Sequence, residues 1–192
     1  PFVITGAADG VYTLQTVSDN NCVGDVFGVV TITTNPLPTI LGVTGGGSYC
    51  PGEIFPQVEI ELEGTPNWSL TYWDGINLPV TETVSSSPYI ISSGADGDYS
   101  VISLTDDNGC AATSLGGSVN VLTNDLPTAT LSIVGANTIC AGETPPDISI
   151  ALTGTGPWDF VYSDGTETIT VTNEATSPYV IPGAADGTYS LV

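Results

Sequence analysis

The side chains charged at neutral pH are 21 carboxylates, joined by the thiols of four cysteines, because Lys, Arg, His and Met are all absent. The formal net charge is -21, and no side-chain cation offsets it. A His general base, a Lys Schiff base and an Arg clamp are thereby excluded. So is a basic surface that could neutralise nucleic-acid phosphates. Cation binding would rest on carboxylates, and Asp96, Asp98, Asp106 and Asp107 flank one expected strand. A calcium ion takes six to eight oxygens from carboxylates, carbonyls and water, so calcium is the one cofactor the sequence leaves open. The spacing lacks the EF-hand pattern, and solvated turns account for the same four residues. Glycoside hydrolysis needs two matched carboxyl groups. Nothing here singles out such a pair, and no enzymatic activity is expected.

Four cysteines without histidine do not make a usual zinc set, and their wide spacing lacks a C-x-x-C pair. The expectation is disulfide bonding in an oxidising, extracellular compartment. Two pairings fit the repeats described below. One joins Cys50 to Cys110 and leaves Cys22 and Cys140 to bond elsewhere. The other joins Cys22 to Cys50 and Cys110 to Cys140. For ligand binding, the best exposed candidates are Tyr72, Trp73 and Asp74, beside a turn at Asp74-Gly75. An indole face next to a carboxylate suits a glycan or a cation, and the next copy carries Ser163 in place of Trp73.

Internal repetition must position these residues. Residues 137–192 match residues 47–102 at an offset of 90, through Cys50/Cys140, Glu53/Glu143, Trp68/Trp158, Tyr72/Tyr162, Asp74/Asp164, Ser87-Pro88-Tyr89/Ser177-Pro178-Tyr179 and Tyr99/Tyr189. The start matches the middle at offsets of 87 to 89, with Cys22 on Cys110 and TNPLPT on TNDLPT. One repeat is therefore about 89 residues. Residues 1–37 read as the C-terminal strands of a preceding repeat, 38–126 as a complete repeat, and 127–192 as most of a following one. The chain reads as a window of a longer tandem array. The rival reading is a subunit whose N-terminal strands complete its neighbour's C-terminal domain.

Alternation of apolar and polar residues in Val58–Leu62, Ile148–Leu152 and Ile169–Val171 predicts strands. Asp-Gly, Pro-Gly and Ser-Pro steps supply the turns between them. The expected fold is all-β: tandem immunoglobulin-like β-sandwich repeats. Trp68 and Trp158 stand where such a sandwich buries a tryptophan. Tyr12, Tyr99 and Tyr189, each ending an Asp-Gly-x-Tyr run, stand where a corner tyrosine bonds back to backbone. Glu59, Glu61 and Glu63 would line the wet face of one strand and discourage stray sheet pairing. A chance of about 10⁻¹⁰ for a chain this long without Lys or Arg, at ordinary usage, makes the composition a selected property. With 41% hydrophobic residues the chain nevertheless has the means to fold.

The motif order Cys-x-Gly, Trp, Tyr-x-Asp-Gly, Ser-Pro-Tyr, Asp-Gly-x-Tyr and Asp-Asp-Asn-Gly-Cys resembles the Ig-like or PKD-like repeats of large secreted Bacteroidetes surface proteins. Gliding-motility adhesins exported by the type IX system are among these. The resemblance covers essentially the whole chain. It implies a secreted, cell-surface location and a role as adhesin, spacer or filament component. The expected partners are neighbouring copies in a fibre and surface glycans, with no nucleic acid. No apolar run approaches the roughly 18 residues of a membrane-spanning helix.

Overall fold

A computed structural model describes all 192 residues. The chain is all-β, and its strands gather into two compact units: Pro1–Ser48 with Phe55–Leu122, and Tyr49–Ile54 with Thr123–Val192. No helix is long and apolar enough to cross a membrane.

The first unit opens with two small antiparallel pairs. Strand β1 (Gly10–Thr13) pairs with β4 (Val29–Ile32), and between them β2 (Val17–Ser18) pairs with β3 (Val23–Gly24). Then come β5 (Thr39–Gly45), β6 (Gly47–Tyr49), β7 (Val58–Glu63), β8 (Trp68–Trp73), β9 (Val80–Val84), β10 (Tyr89–Ile91), β11 (Gly97–Thr105) and β12 (Ser118–Thr123). They form a three-stranded sheet, β10-β7-β5, and a five-stranded sheet, β6-β12-β11-β8-β9.

Alternation in β7 decides which face is buried. Val58, Ile60 and Leu62 are almost wholly inside while Glu59, Glu61 and Glu63 are exposed. Trp68 and Leu70 of β8, Tyr99, Val101 and Leu104 of β11, and Val121 of β12 join them in the core, together with Ile40 and Val43 of β5, Val84 of β9 and Ile91 of β10. A bulge between Val101 and Ser103 lets two positions three apart, Val101 and Leu104, both point inward.

The second unit holds β13 (Ala129–Val134), β14 (Asp147–Leu152), β15 (Trp158–Ser163), β16 (Thr168–Glu174), β17 (Tyr179–Ile181) and β18 (Ser190–Leu191). Its sheets are β13-β14-β17 and β16-β15-β18. Ile150, Leu152 and Tyr162 form a buried cluster, with Leu131, Trp158, Phe160, Val171, Tyr179 and Leu191 packed on it. Each three-stranded sheet remains open at both edges.

All four cysteines are free, which overturns the disulfide expectation. The sheet explains why Cys50 and Cys110 do not pair. Tyr49, next to Cys50, accepts the Asn124 N–H (2.8 Å) just past the end of β12 that lies beside Gly97. Cys110 follows the other end of β11. Nine residues of strand at about 3.3 Å each separate those ends, whereas bridged Cα atoms lie within about 7 Å. The cysteines occupy turns instead. Glu53 takes the Cys50 N–H (2.8 Å) and Glu143 takes the Cys140 N–H (2.7 Å). Asp19 takes the Cys22 N–H (2.7 Å) and Asp106 the Cys110 N–H (2.9 Å).

Candidate functional site

Tyr72, Trp73 and Asp74 come together at the end of β8, lining a cleft of about 230 Å³ with Leu78, Ile91 and Tyr99. The Asp74 carboxylate organises the turn that follows. One oxygen accepts the N–H groups of Ile76 (2.9 Å) and Asn77 (2.8 Å), and the other accepts the Asn77 amide (2.6 Å). Partial burial pushes this carboxyl up, but those hydrogen bonds outweigh it and hold it below the usual value. The Trp73 indole N–H donates to the Asn77 carbonyl, so the ring is pinned across the turn while 37% of the residue stays open to solvent.

Tyr72 packs on Tyr89 with ring centroids 5.9 Å apart. Burial first, then its hydrogen bond with Tyr89, pushes its phenol well above the ordinary value, so it stays protonated at neutral pH. The cleft thus offers an aromatic face and a carboxylate whose lone pairs serve the turn. In the second unit the turn persists without the ring. Asp164 accepts from Thr166 N (2.8 Å) and Glu167 N (2.7 Å), while the Ser163 hydroxyl donates to the Glu167 carbonyl (2.8 Å). Trp73 is a local addition to a shared turn.

The four candidate calcium ligands do not gather. Asp96 and Asp98 flank the first residue of β11, whereas Asp106 and Asp107 follow its last. Asp98 accepts the Asn120 side-chain N–H (2.9 Å). Asp106 is buried and accepts the N–H groups of Asn108 (3.0 Å) and Cys110. Asp107 is exposed. No three carboxylates or cysteines anywhere in the chain are placed to hold a metal ion.

The three Asp-Gly-x-Tyr tyrosines each donate to a carbonyl four residues back: Tyr12 to Ala8 (2.8 Å), Tyr99 to Ala95 (2.8 Å) and Tyr189 to Ala185 (3.4 Å). Tyr99 is buried, and the other two are half-buried. Trp68 is buried with its indole N–H unpaired, while half-buried Trp158 donates to the Thr153 carbonyl (2.9 Å). Sequence reasoning gave Ser87 and Ser177 no role. Their hydroxyls accept the N–H groups of Leu62 (2.7 Å) and Leu152 (2.9 Å), the last core residues of β7 and β14. The 90-residue recurrence of Ser-Pro-Tyr was the available signal.

No protein-family model matches the chain, and no curated protein matches it either.

Proposed function

We propose that the chain is a structural module of an extracellular surface fibre, stalk or adhesin, built from tandem immunoglobulin-like repeats of about 89 residues. One observation carries this reading: the internal geometry repeats from copy to copy, whereas the exposed Trp73 does not. Strands β1 and β4 pair Gly10↔Ile32 through Thr13↔Val29, and β11 and β12 pair Gly97↔Val121 through Ser100↔Ser118. These are the same repeat positions in the same register. The tyrosine bond recurs three times. Trp73, by contrast, occurs once. What recurs is what folding needs, as in arrays that extend reach by stacking like units.

Support for an immunoglobulin-like strand order comes from the sheets β10-β7-β5 and β6-β12-β11-β8-β9, with Trp68 opening the third core strand. The motif order supports placement among the Ig-like or PKD-like repeats of secreted Bacteroidetes proteins. The absence of Lys and Arg suits a secreted location, since trypsin-like proteases find no cleavage residue. Uniform negative charge keeps neighbouring fibres apart. Electron microscopy with an antibody to residues 38–126 is expected to decorate filaments or beaded threads at the surface of producing cells. Label confined to the cell interior would overturn the reading.

The Trp73 cleft favours a second reading, a glycan-binding module whose indole stacks on a sugar face. Signals on a glycan array that vanish in Trp73→Ala would support it, and an array without signals would remove it.

A further inference from the structure

A strand at the edge of a sheet invites another strand onto its unpaired N–H and C=O groups, and tandem repeats bring like edges close together. The complete repeat, residues 38–126, has four such edges: β10 and β5 in the smaller sheet, β6 and β9 in the larger. The sequence set Glu59, Glu61 and Glu63 against stray pairing. Their strand β7 lies between β10 and β5, however, so its backbone has no free edge to protect. Protection has to come from the edge strands themselves. β10 and β6 are three residues each, which leaves a partner little to pair with. β5 is bulged at Leu41, between the Ile40↔Leu62 and Gly42↔Glu61 pairs. β9 is neither so short nor bulged. Five successive pairs join it to β8, from Trp68↔Val84 to Tyr72↔Val80.

What β9 has instead is Glu82. This residue pairs with Leu70, which is wholly buried, and lies between Val80 and buried Val84 on the same side of the strand. Side chains alternate across a strand, so Glu82 stands on the core side of the sheet, and Thr81 and Thr83 stand on the outer side. After burial and the contact with Tyr89, the Glu82 charge is a further cause of the raised Tyr72 phenol, a side chain of that same core side. Glu82 is nonetheless exposed, because at the open margin its carboxylate reaches water past the last strand. A strand added to β9 would close that margin. It would strip water from the carboxylate, and no copy of the chain carries a Lys, Arg or His to pair with it. In the symmetric antiparallel register that uses all five residues of β9, Glu82 also stands directly opposite Glu82 of the second copy. The matching strand β16 carries Val171 at this position, paired with Phe160 as Glu82 is with Leu70, and is bulged directly after it.

We infer that the β9 edge is a strand-addition surface for a second copy of this chain, held closed by Glu82. Removal of that one charge opens it. Two β9 strands then pair antiparallel and join two five-stranded sheets into one, with backbone bonds supplying the affinity. Val80, Thr81, Thr83 and Val84, β-branched and uncharged, suit such a pairing. The inference concerns how one copy meets another and does not depend on the fibre reading.

Sedimentation velocity of the parent chain, Glu82→Val, Glu82→Gln and Glu61→Val tests it. Glu61 is exposed on the middle strand β7, so Glu61→Val removes the same charge away from any edge. Both Glu82 variants are expected to dimerise with a Kd at least about tenfold below the parent's, and Glu61→Val should match the parent. Hydrogen exchange of the dimer should show its added protection at Val80–Val84. Val171 in the next copy indicates that valine fits the position. Should Glu82→Val still fail to fold, Glu82→Gln, nearly identical in shape, decides the outcome. Folded Glu82 variants no more associated than the parent would overturn the inference. So would equal association of Glu61→Val, which would make net charge the cause, or protection gained at another strand. None of these outcomes would remove the fibre reading, which stands or falls on the microscopy.

Discussion

The carbonyl oxygen of Asp74 lies 2.0 Å from where a Cβ on Gly97 would stand, and Gly97 has a φ of +152°. The turn after β8 and the start of β11 are therefore in backbone contact, and only glycine permits it. The second unit repeats the relationship, with the Asp164 carbonyl 2.4 Å from a Cβ at Gly187. Gly97→Ala should destabilise the first unit by about 3 kcal/mol or more, from overlap and backbone strain together. Gly10→Ala in β1 meets nothing closer than Tyr12 at 4.0 Å and should cost clearly less. Urea unfolding of the two variants measures the difference.

The corner tyrosines offer a graded test. Tyr99→Phe removes a 2.8 Å bond to Ala95 from a buried side chain and should cost about 1–2 kcal/mol, because the carbonyl loses its partner. Tyr12→Phe removes a bond of the same length near solvent, and water can replace the donor. Its cost should stay below about 0.5 kcal/mol. Thermal melts of both variants would check the order.

Among the acidic residues Asp106 should matter most. Asp106→Ala strands the N–H groups of Asn108 and Cys110 at a buried carboxylate, for an expected loss of about 2–3 kcal/mol. Asp107→Ala, one residue away and exposed, should fall within about 0.5 kcal/mol of the parent. Because Asp106 serves the turn, EDTA should leave the melting temperature of both proteins unchanged. A drop on chelation would show that the carboxylates have a second employer.

Acid should loosen the second unit's turn. Backbone N–H bonds from Glu167 and then Thr166, with the Thr166 hydroxyl, hold Asp164 below its usual value. A carboxyl lowered on folding adds stability that is complete above its unfolded pKa, about 3.9, and is lost as pH falls through the lower folded value. Asp164→Asn keeps an acceptor oxygen but cannot titrate. The stability difference between parent and variant should therefore be constant from pH 7 down to about pH 4 and change only below that. Melts at stepped pH and fixed ionic strength would read it.

Much of this arrangement was legible in the residues. The alternation of Val58, Ile60 and Leu62 with three glutamates places β7 and its buried face, and Asp-Gly-x-Tyr marks a bond that the protein makes three times. The cysteines misled because composition speaks to compartment and count, while pairing depends on which end of a strand each occupies. Asp106 misled in another way. A carboxylate in a turn carries the same letter whether it faces solvent, an ion or two backbone amides, and only three-dimensional geometry separates these. Trp73 was picked out by its replacement in the next copy, but its bond to the Asn77 carbonyl depends on a turn conformation that spacing alone does not specify.

The direction of β6 carries one further consequence. Gly46 approaches Asn120, and three residues on the Tyr49 carbonyl accepts the Asn124 N–H, so β6 and β12 run the same way. Thr39 at the start of β5 and Leu122 near the end of β12 consequently lie toward opposite ends of the strands. Tension applied at those two points acts along the strand axes. It loads the β6–β12 hydrogen bonds side by side, and they must give way together. A module pulled this way should yield in one abrupt step at high force, where a hairpin pulled from both arms would unzip bond by bond. Single-molecule stretching through Thr39 and Leu122, compared with stretching through the adjacent ends of β11 and β12, would distinguish the two behaviours.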